Sequence, residues 1–105
     1  MVQFATWLDT LSGKPKLMGW PLPVDFMFVY WYYIRFVGDP PFGYDGIDIK
    51  TYAMRVLDVP VFADVSRTKA RELLGIPNVE FSHDPTYDAA QQAAIFFGLR
   101  RLIGR

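Results

Sequence analysis

His83, the single histidine of the chain, stands five residues before Asp88 in the run His83-Asp84-Pro85-Thr86-Tyr87-Asp88-Ala89. Histidine is the side chain whose ordinary pKa lies nearest neutrality, so it can give and take protons at physiological pH. A neighbouring aspartate offers hard oxygen donors of the kind Mg²⁺ prefers. The pair therefore suits proton transfer beside a divalent cation. A further aspartate, Asp25, follows the run Gly19-Trp20-Pro21-Leu22-Pro23-Val24 at the start of a strongly apolar segment. It can contribute to a cation site, and it is equally suited to opposing the positive end of a helix macrodipole.

The elements that carry these residues follow from the hydrophobic spacing. Phe4, Trp7, Leu8 and Leu11 recur at steps of three and four, which predicts an amphipathic helix over Gln3–Leu11, stopped by Ser12-Gly13-Lys14-Pro15. Lys16–Trp20 is expected to be a short buried strand. Phe26–Val37 is too long for one strand of a small domain and ends in Gly38-Asp39-Pro40-Pro41, so it is expected to be a helix. With Arg35 as its one charge, that helix is expected to lie deep in the core, its aromatics serving as packing. A base-stacking platform would interleave aromatics with Lys and Arg, which this run does not.

After a loop containing Pro40, Pro41, Gly43 and Gly46, the segment Ile47-Asp48-Ile49 predicts a short strand running into a helix over Thr51–Leu57. Tyr52, Ala53, Val56 and Leu57 would form its inner stripe, and Asp48 is expected to cap or order the junction. Ser66–Leu74 predicts a short helix capped by Ser66 and closed by Gly75. The last helix is expected to start at Asp84 as N-cap, with Pro85 in its first turn, and to run to about Ile103.

Composition removes several function classes. The chain has 105 residues, which makes it one small domain or a piece of a larger one. Half of the residues are hydrophobic, which excludes a disordered chain, and basic and acidic side chains balance at 11 each, so no global field draws a polyanion. Arg67, Lys69, Arg71, Arg100, Arg101 and Arg105 gather toward the C-terminus, where surface ion pairing accounts for them as well as phosphate contact does. With no cysteine there is no disulfide, thiolate nucleophile or cysteine-based zinc site, which fits a reducing cytoplasm. The start of the chain has no signal-peptide pattern. The Phe26–Phe36 run is well short of the ~20 residues a bilayer span requires.

Three segments, in order, carry a resemblance. They are Gly19–Phe28, the run Pro41-Phe42-Gly43-Tyr44-Asp45-Gly46-Ile47-Asp48-Ile49-Lys50, and His83–Ala89. Together they resemble the DEDDh 3′–5′ exonucleases, in particular the small bacterial exoribonuclease branch with a ribonuclease H-like α/β fold. By that resemblance Asp25 matches the metal-binding aspartate of the second motif, His83 the general base of the third, and Asp88 the last carboxylate, a direct metal ligand. Pro85 and Tyr87 depart from the usual third motif, although the His-to-Asp spacing is kept. Asp48 matches none of the family's catalytic carboxylates, and Asp84 is expected to act as a cap.

The first motif of that family, an Asp-x-Glu pair, occurs nowhere in this chain, whose two glutamates are Glu72 and Glu80. The resemblance therefore implies a partial, helix-rich ribonuclease H-like α/β fold without its first three antiparallel strands, spanning residues 1–105 as one shortened exonuclease domain. It implies Mg²⁺ or Mn²⁺ as cofactor and 3′ ends of single-stranded RNA or DNA as substrate, with RNA ahead of DNA. Two-metal hydrolysis needs carboxylates that fix two cations ~3.5–4 Å apart, and Asp25 and Asp88 are too few. Weak or absent activity of the chain alone is the expectation. An open sheet edge would invite a second copy or another chain to cover it, and the alternative is a non-catalytic interaction module.

Overall fold

A computed structural model describes residues 1–77 and 84–104. Helix α1 (Val2–Asp9) precedes strand β1 (Leu17–Gly19), which leads through helix α2 (Leu22–Phe36) to strand β2 (Gly46–Asp48). Helices α3 (Ile49–Val56), α4 (Arg67–Leu73) and α5 (Pro85–Leu102) follow, with one turn of 3-10 helix at Phe62–Asp64 before α4. The strands pair in parallel, with Leu17 opposite Gly46, Met18 opposite Ile47 and Gly19 opposite Asp48. Parallel pairing requires a crossover, and α2 supplies it as a βαβ unit.

Successive strand residues point to opposite faces of a sheet, and this alternation divides the apolar interior in two. Leu17 packs with Ala5, Leu8, Tyr33 and Phe42, the cluster formed by α1, α2 and the loop after α2. Met18 and Ile47 pack with Ile49, Ala53, Val65, Ala70, Ile95, Phe96 and Leu99, the cluster of α3, α4 and α5. The result is an α/β arrangement of helices around a small parallel sheet. Phe42 is fully buried although it lies in a loop, where its ring meets those of Phe26, Tyr30 and Tyr33 edge-on, with centroids 5.7–6.4 Å away. Lys16 fastens the same loop, its Nζ donating to the Phe42 carbonyl at 3.1 Å and pairing with Asp45. The hydrogen bond that Lys16 donates to the Asp45 carboxylate, together with the lysine charge, holds that carboxyl below its ordinary pKa.

Two glycines are fixed by close approach. A Cβ on Gly46 would lie 2.7 Å from the Leu17 carbonyl oxygen and 2.5 Å from a Leu22 methyl, so only glycine lets β2 come this near to β1 and α2. A Cβ on Gly98 would press on the Leu74 side chain at 3.0 Å, where α5 lies against the end of α4.

The sequence-expected elements occur close to where they were placed, although α2 begins at Leu22, four residues before the expected Phe26, and α1 ends at Asp9 rather than Leu11; two also differ in burial. The α2 helix is formed, yet it is not deep in the core. Only Leu22 and Tyr33 on it are buried, while Val24, Met27, Phe28, Trp31, Tyr32, Ile34 and Phe36 are exposed. An all-round apolar helix is enclosed only if neighbours surround it. Here α1, the sheet and the Phe42 loop reach one side, the side of Phe26, Val29, Tyr30 and Tyr33. On α1, likewise, Ala5 and Leu8 are buried whereas Trp7 faces solvent and stacks on Phe4, and Leu11, just beyond the helix, is exposed as well. No helix among the described residues is long and apolar enough to cross a membrane.

Candidate active site

Of the candidate residues, Asp25 lies beside the C-terminal end of β1 and Asp88 is linked to it through Gln92. In open parallel sheets the crevice beyond the strand ends is the usual ligand position, because the following helices start there. Gly19, the last residue of β1, is buried. The position its Cβ would occupy lies 3.5 Å from Oδ2 of Asp25 and 3.6 Å from Oε1 of Gln92. A side chain here would fill the space between α2 and α5, so glycine keeps the strand end open to both. The next peptide, Trp20–Pro21, is cis.

Asp25 occupies the first turn of α2, where a carboxylate is favoured by the helix dipole. The start of α2 is itself held by Asp48. Its Oδ1 accepts from the Leu22 N–H at 2.8 Å, while Oδ2 accepts from the Thr51 N–H at 3.1 Å and from the Thr51 hydroxyl. One carboxylate thus satisfies donors at the starts of both α2 and α3, groups that helices otherwise leave unpaired. The expected capping role of Asp48 is present, and it extends to the helix that carries Asp25.

Asp88 lies in the first turn of α5, which Asp84 caps by accepting from the Thr86 N–H at 2.9 Å. Both oxygens of Asp88 have partners. Oδ1 accepts from Nη2 of Arg67 at 2.7 Å, and Oδ2 accepts from Nε2 of Gln92 at 2.8 Å. Arg67 also donates from Nε to Gln91 at 3.1 Å and from Nη2 to the Asp88 carbonyl at 3.4 Å, so three hydrogen bonds clasp α4 to α5. Gln92 in turn accepts from the Trp20 N–H at 2.9 Å. A continuous chain of contacts therefore runs from the end of β1 through Gln92 and Asp88 to Arg67 at the start of α4. The Asp88 side chain keeps 53% of its surface, so the carboxylate is reachable from solvent.

Asp25 and Asp88 are thus both gathered around Gly19, one directly and one through Gln92. His83 lies outside the described residues. Gln92 and Arg67 were not singled out as site residues from the sequence. For Gln92 a signal existed, since it follows Asp88 by one helical turn. Arg67 is 21 residues from Asp88, and no local pattern announces such a pair.

The donor set is oxygen-rich and of the type that suits Mg²⁺ or Mn²⁺. It does not by itself fit a two-cation centre, because two carboxylates are available and Arg67 already compensates one of them. Among the described residues no group of three or more acidic or histidine side chains is arranged to hold a metal ion.

No protein-family model matches the chain, and no solved structure matches it. The chain is similar to the 3′–5′ DNA exonuclease Cap18 of Escherichia coli, with 29% identity over 101 residues. The match takes in 91% of this chain and 52% of that protein, so the chain spans about half the length of the curated relative. The likeness supports a relationship to exonucleases.

Proposed function

We propose that this chain carries part of a 3′–5′ exonuclease centre of the DEDDh type, within a partial ribonuclease H-like fold. Asp25 and Asp88 are two of its carboxylates and His83 is its general base. The convergence of Asp25, Gln92 and Asp88 on the Gly19 strand end is the observation that carries this assignment. The exonuclease relative supports it independently. Asp25 and Asp88 would help to hold Mg²⁺ or Mn²⁺ in a complete centre, and the metal would supply charge compensation at the scissile phosphate. Gln92 orients Asp88 against β1, and the Asp48 caps fix the end of α2 that presents Asp25. His83 would accept the proton of the attacking water. The remaining carboxylates, absent as an Asp-x-Glu pair from these 105 residues, must come from elsewhere.

The motif resemblance favours RNA as substrate, while the relative is a DNA exonuclease, so both are tested together. Purified protein is incubated with Mn²⁺ and 5′-labelled single-stranded RNA or DNA, alongside His83→Ala and Asp88→Asn. Little or no shortening from the 3′ end is expected from the chain alone, and whatever shortening occurs should vanish in both variants. Robust 3′-end degradation that survives Asp88→Asn would overturn the assignment.

Arg67 has a testable place in this scheme, because its guanidinium neutralises Asp88 in the way a cation would. Arg67→Ala is expected to tighten Mn²⁺ binding by up to about fivefold, the equivalent of the ~0.2–1 kcal/mol an exposed ion pair contributes. Titration calorimetry of the variant and of Asp88→Asn reads this directly. Equal Mn²⁺ affinity in wild type, Arg67→Ala and Asp88→Asn would remove Asp88 from the metal site. The exposed face of α2 favours a second role, in which the chain acts as an interaction module whether or not it cleaves.

A further inference from the structure

Composition leaves the basic residues of the C-terminal part equally suited to ion pairing and to phosphate contact, and at Arg67 the two are compatible. A guanidinium carries its N–H donors in one rigid plane, so one edge can serve one partner and another edge a second. Three hydrogen bonds hold the Arg67 side chain: Nε donates to Gln91, and Nη2 donates to both the carboxylate and the carbonyl of Asp88. None of them uses Nη1, which has no hydrogen-bond partner among the described residues. No unpartnered side-chain nitrogen among those residues is buried, so Nη1 meets solvent.

The position of this free edge gives it a use. Asp25 lies beside Gly19, Asp88 is tied to the same strand end through Gln92, and Arg67 closes the series. A group seated next to Asp88 therefore meets N–H donors whose plane is already fixed by the bonds through Nε and Nη2, which lowers the cost of ordering them. Such an edge suits an anion with several acceptor oxygens, and a phosphodiester is the anion that a nuclease centre brings to this place. Charge sets how tightly it is held. Asp88 offsets the arginine charge, and Asp25, which has no ion pair among the described residues, adds a negative charge at the strand end. Asp88 thus competes with a phosphate for Arg67.

We propose that Arg67 is a phosphate-binding residue for single-stranded nucleic acid, its Nη1 edge holding a phosphodiester beside Asp88. The proposal rests on the nuclease reading of the Gly19 strand end, and it gives Arg67 a contact with substrate in addition to the clasp between α4 and α5.

Fluorescence anisotropy of a labelled single-stranded oligonucleotide, recorded in EDTA so that binding is read without cleavage, tests it. Arg67→Ala is expected to weaken binding about three- to tenfold. It should also lower the slope of log affinity against log salt by about 0.7, the loss of one phosphate contact. Asp88→Asn removes the competing charge and should tighten binding, by up to about fivefold. These opposite signs separate substrate contact from structure, because loss of the clasp alone would impair both variants and leave the salt slope unchanged. Arg67→Lys, which keeps the charge without the fork, should recover part of the affinity. Arg35→Ala removes an arginine from the last turn of α2, about 15 Å along that helix from Asp25, and should change affinity less than about twofold.

An unchanged salt slope in Arg67→Ala, weaker binding in Asp88→Asn, equal losses in Arg67→Ala and Arg35→Ala, or no binding by wild type and Asp88→Asn alike would overturn the proposal. Displacement of the strand by inorganic phosphate at equal phosphate concentration would overturn it too, assigning Nη1 to a free anion. Failure of the nuclease reading shows separately, as 3′-end shortening in Mn²⁺ that survives Asp88→Asn.

Discussion

Phe42→Ala is expected to be the most damaging single truncation in this protein, costing about 3–5 kcal/mol. The ring is fully buried in the cluster that joins α1, α2 and β1, and three aromatic neighbours meet it edge-on. Its removal forfeits those contacts and leaves a void that rigid rings cannot close. Small domains have only about 5–15 kcal/mol of stability in all, so the variant should be marginally folded at best. Urea denaturation followed by tryptophan fluorescence measures the loss. Phe42→Leu, which keeps apolar volume, should fall between the two. A cost below about 1 kcal/mol for the alanine variant would show that the loop does not anchor α2. Because this loop sets how α2 leans on the sheet, the same substitution should also disorder the Asp25 end of the site.

Asp48→Ala should have the second largest effect, through a different mechanism. The substitution strips acceptors from the Leu22 and Thr51 N–H groups at once. Each lost helix cap costs about 1 kcal/mol, with a range of ~0.5–2, so about 2–3 kcal/mol is expected for the pair. In a domain of this size that corresponds to a fall in Tm of roughly 10–20 °C. Asp48→Asn keeps an acceptor oxygen and should lose about half as much. A thermal melt in which Asp48→Ala shifts Tm by no more than an ordinary surface substitution would show that the shared cap is not structural.

The contrast between these two residues explains what could be read in advance. Capping is decided within three or four residues, so Ser66 at α4, Asp84 at α5 and the Asp48–Thr51 contact were all accessible from local sequence. So were the strand before Pro21 and the long apolar helix after it. The bond from Leu22 to Asp48 spans 26 residues, and the bond from Trp20 to Gln92 spans 72. Contacts at such separations depend on the register of β1 and β2, which hydrophobic spacing does not encode. Burial of α2 was misjudged for a related reason. Composition shows that every side of a helix is apolar, but not how many neighbours the fold supplies to cover those sides. Motif spacing singles out Asp25 and Asp88, whereas Gln92 and Arg67, which hold Asp88, emerge only in three dimensions.

The two halves of α5 differ in what fastens them. From Ile95 to Leu99 the helix is packed into the core, whereas from Pro85 to Ala90 every residue is exposed and the start of the helix is tethered by Arg67 and Gln92. Opening of the first turns therefore requires only the breaking of polar contacts at the surface, while opening of the turns around Ile95–Leu99 requires the buried core to come apart. Amide hydrogens should accordingly exchange with solvent in a gradient along this one helix, fast near Asp88 and slow near Leu99. The candidate carboxylate thus sits on a segment that can unravel and re-form many times within the lifetime of the folded state.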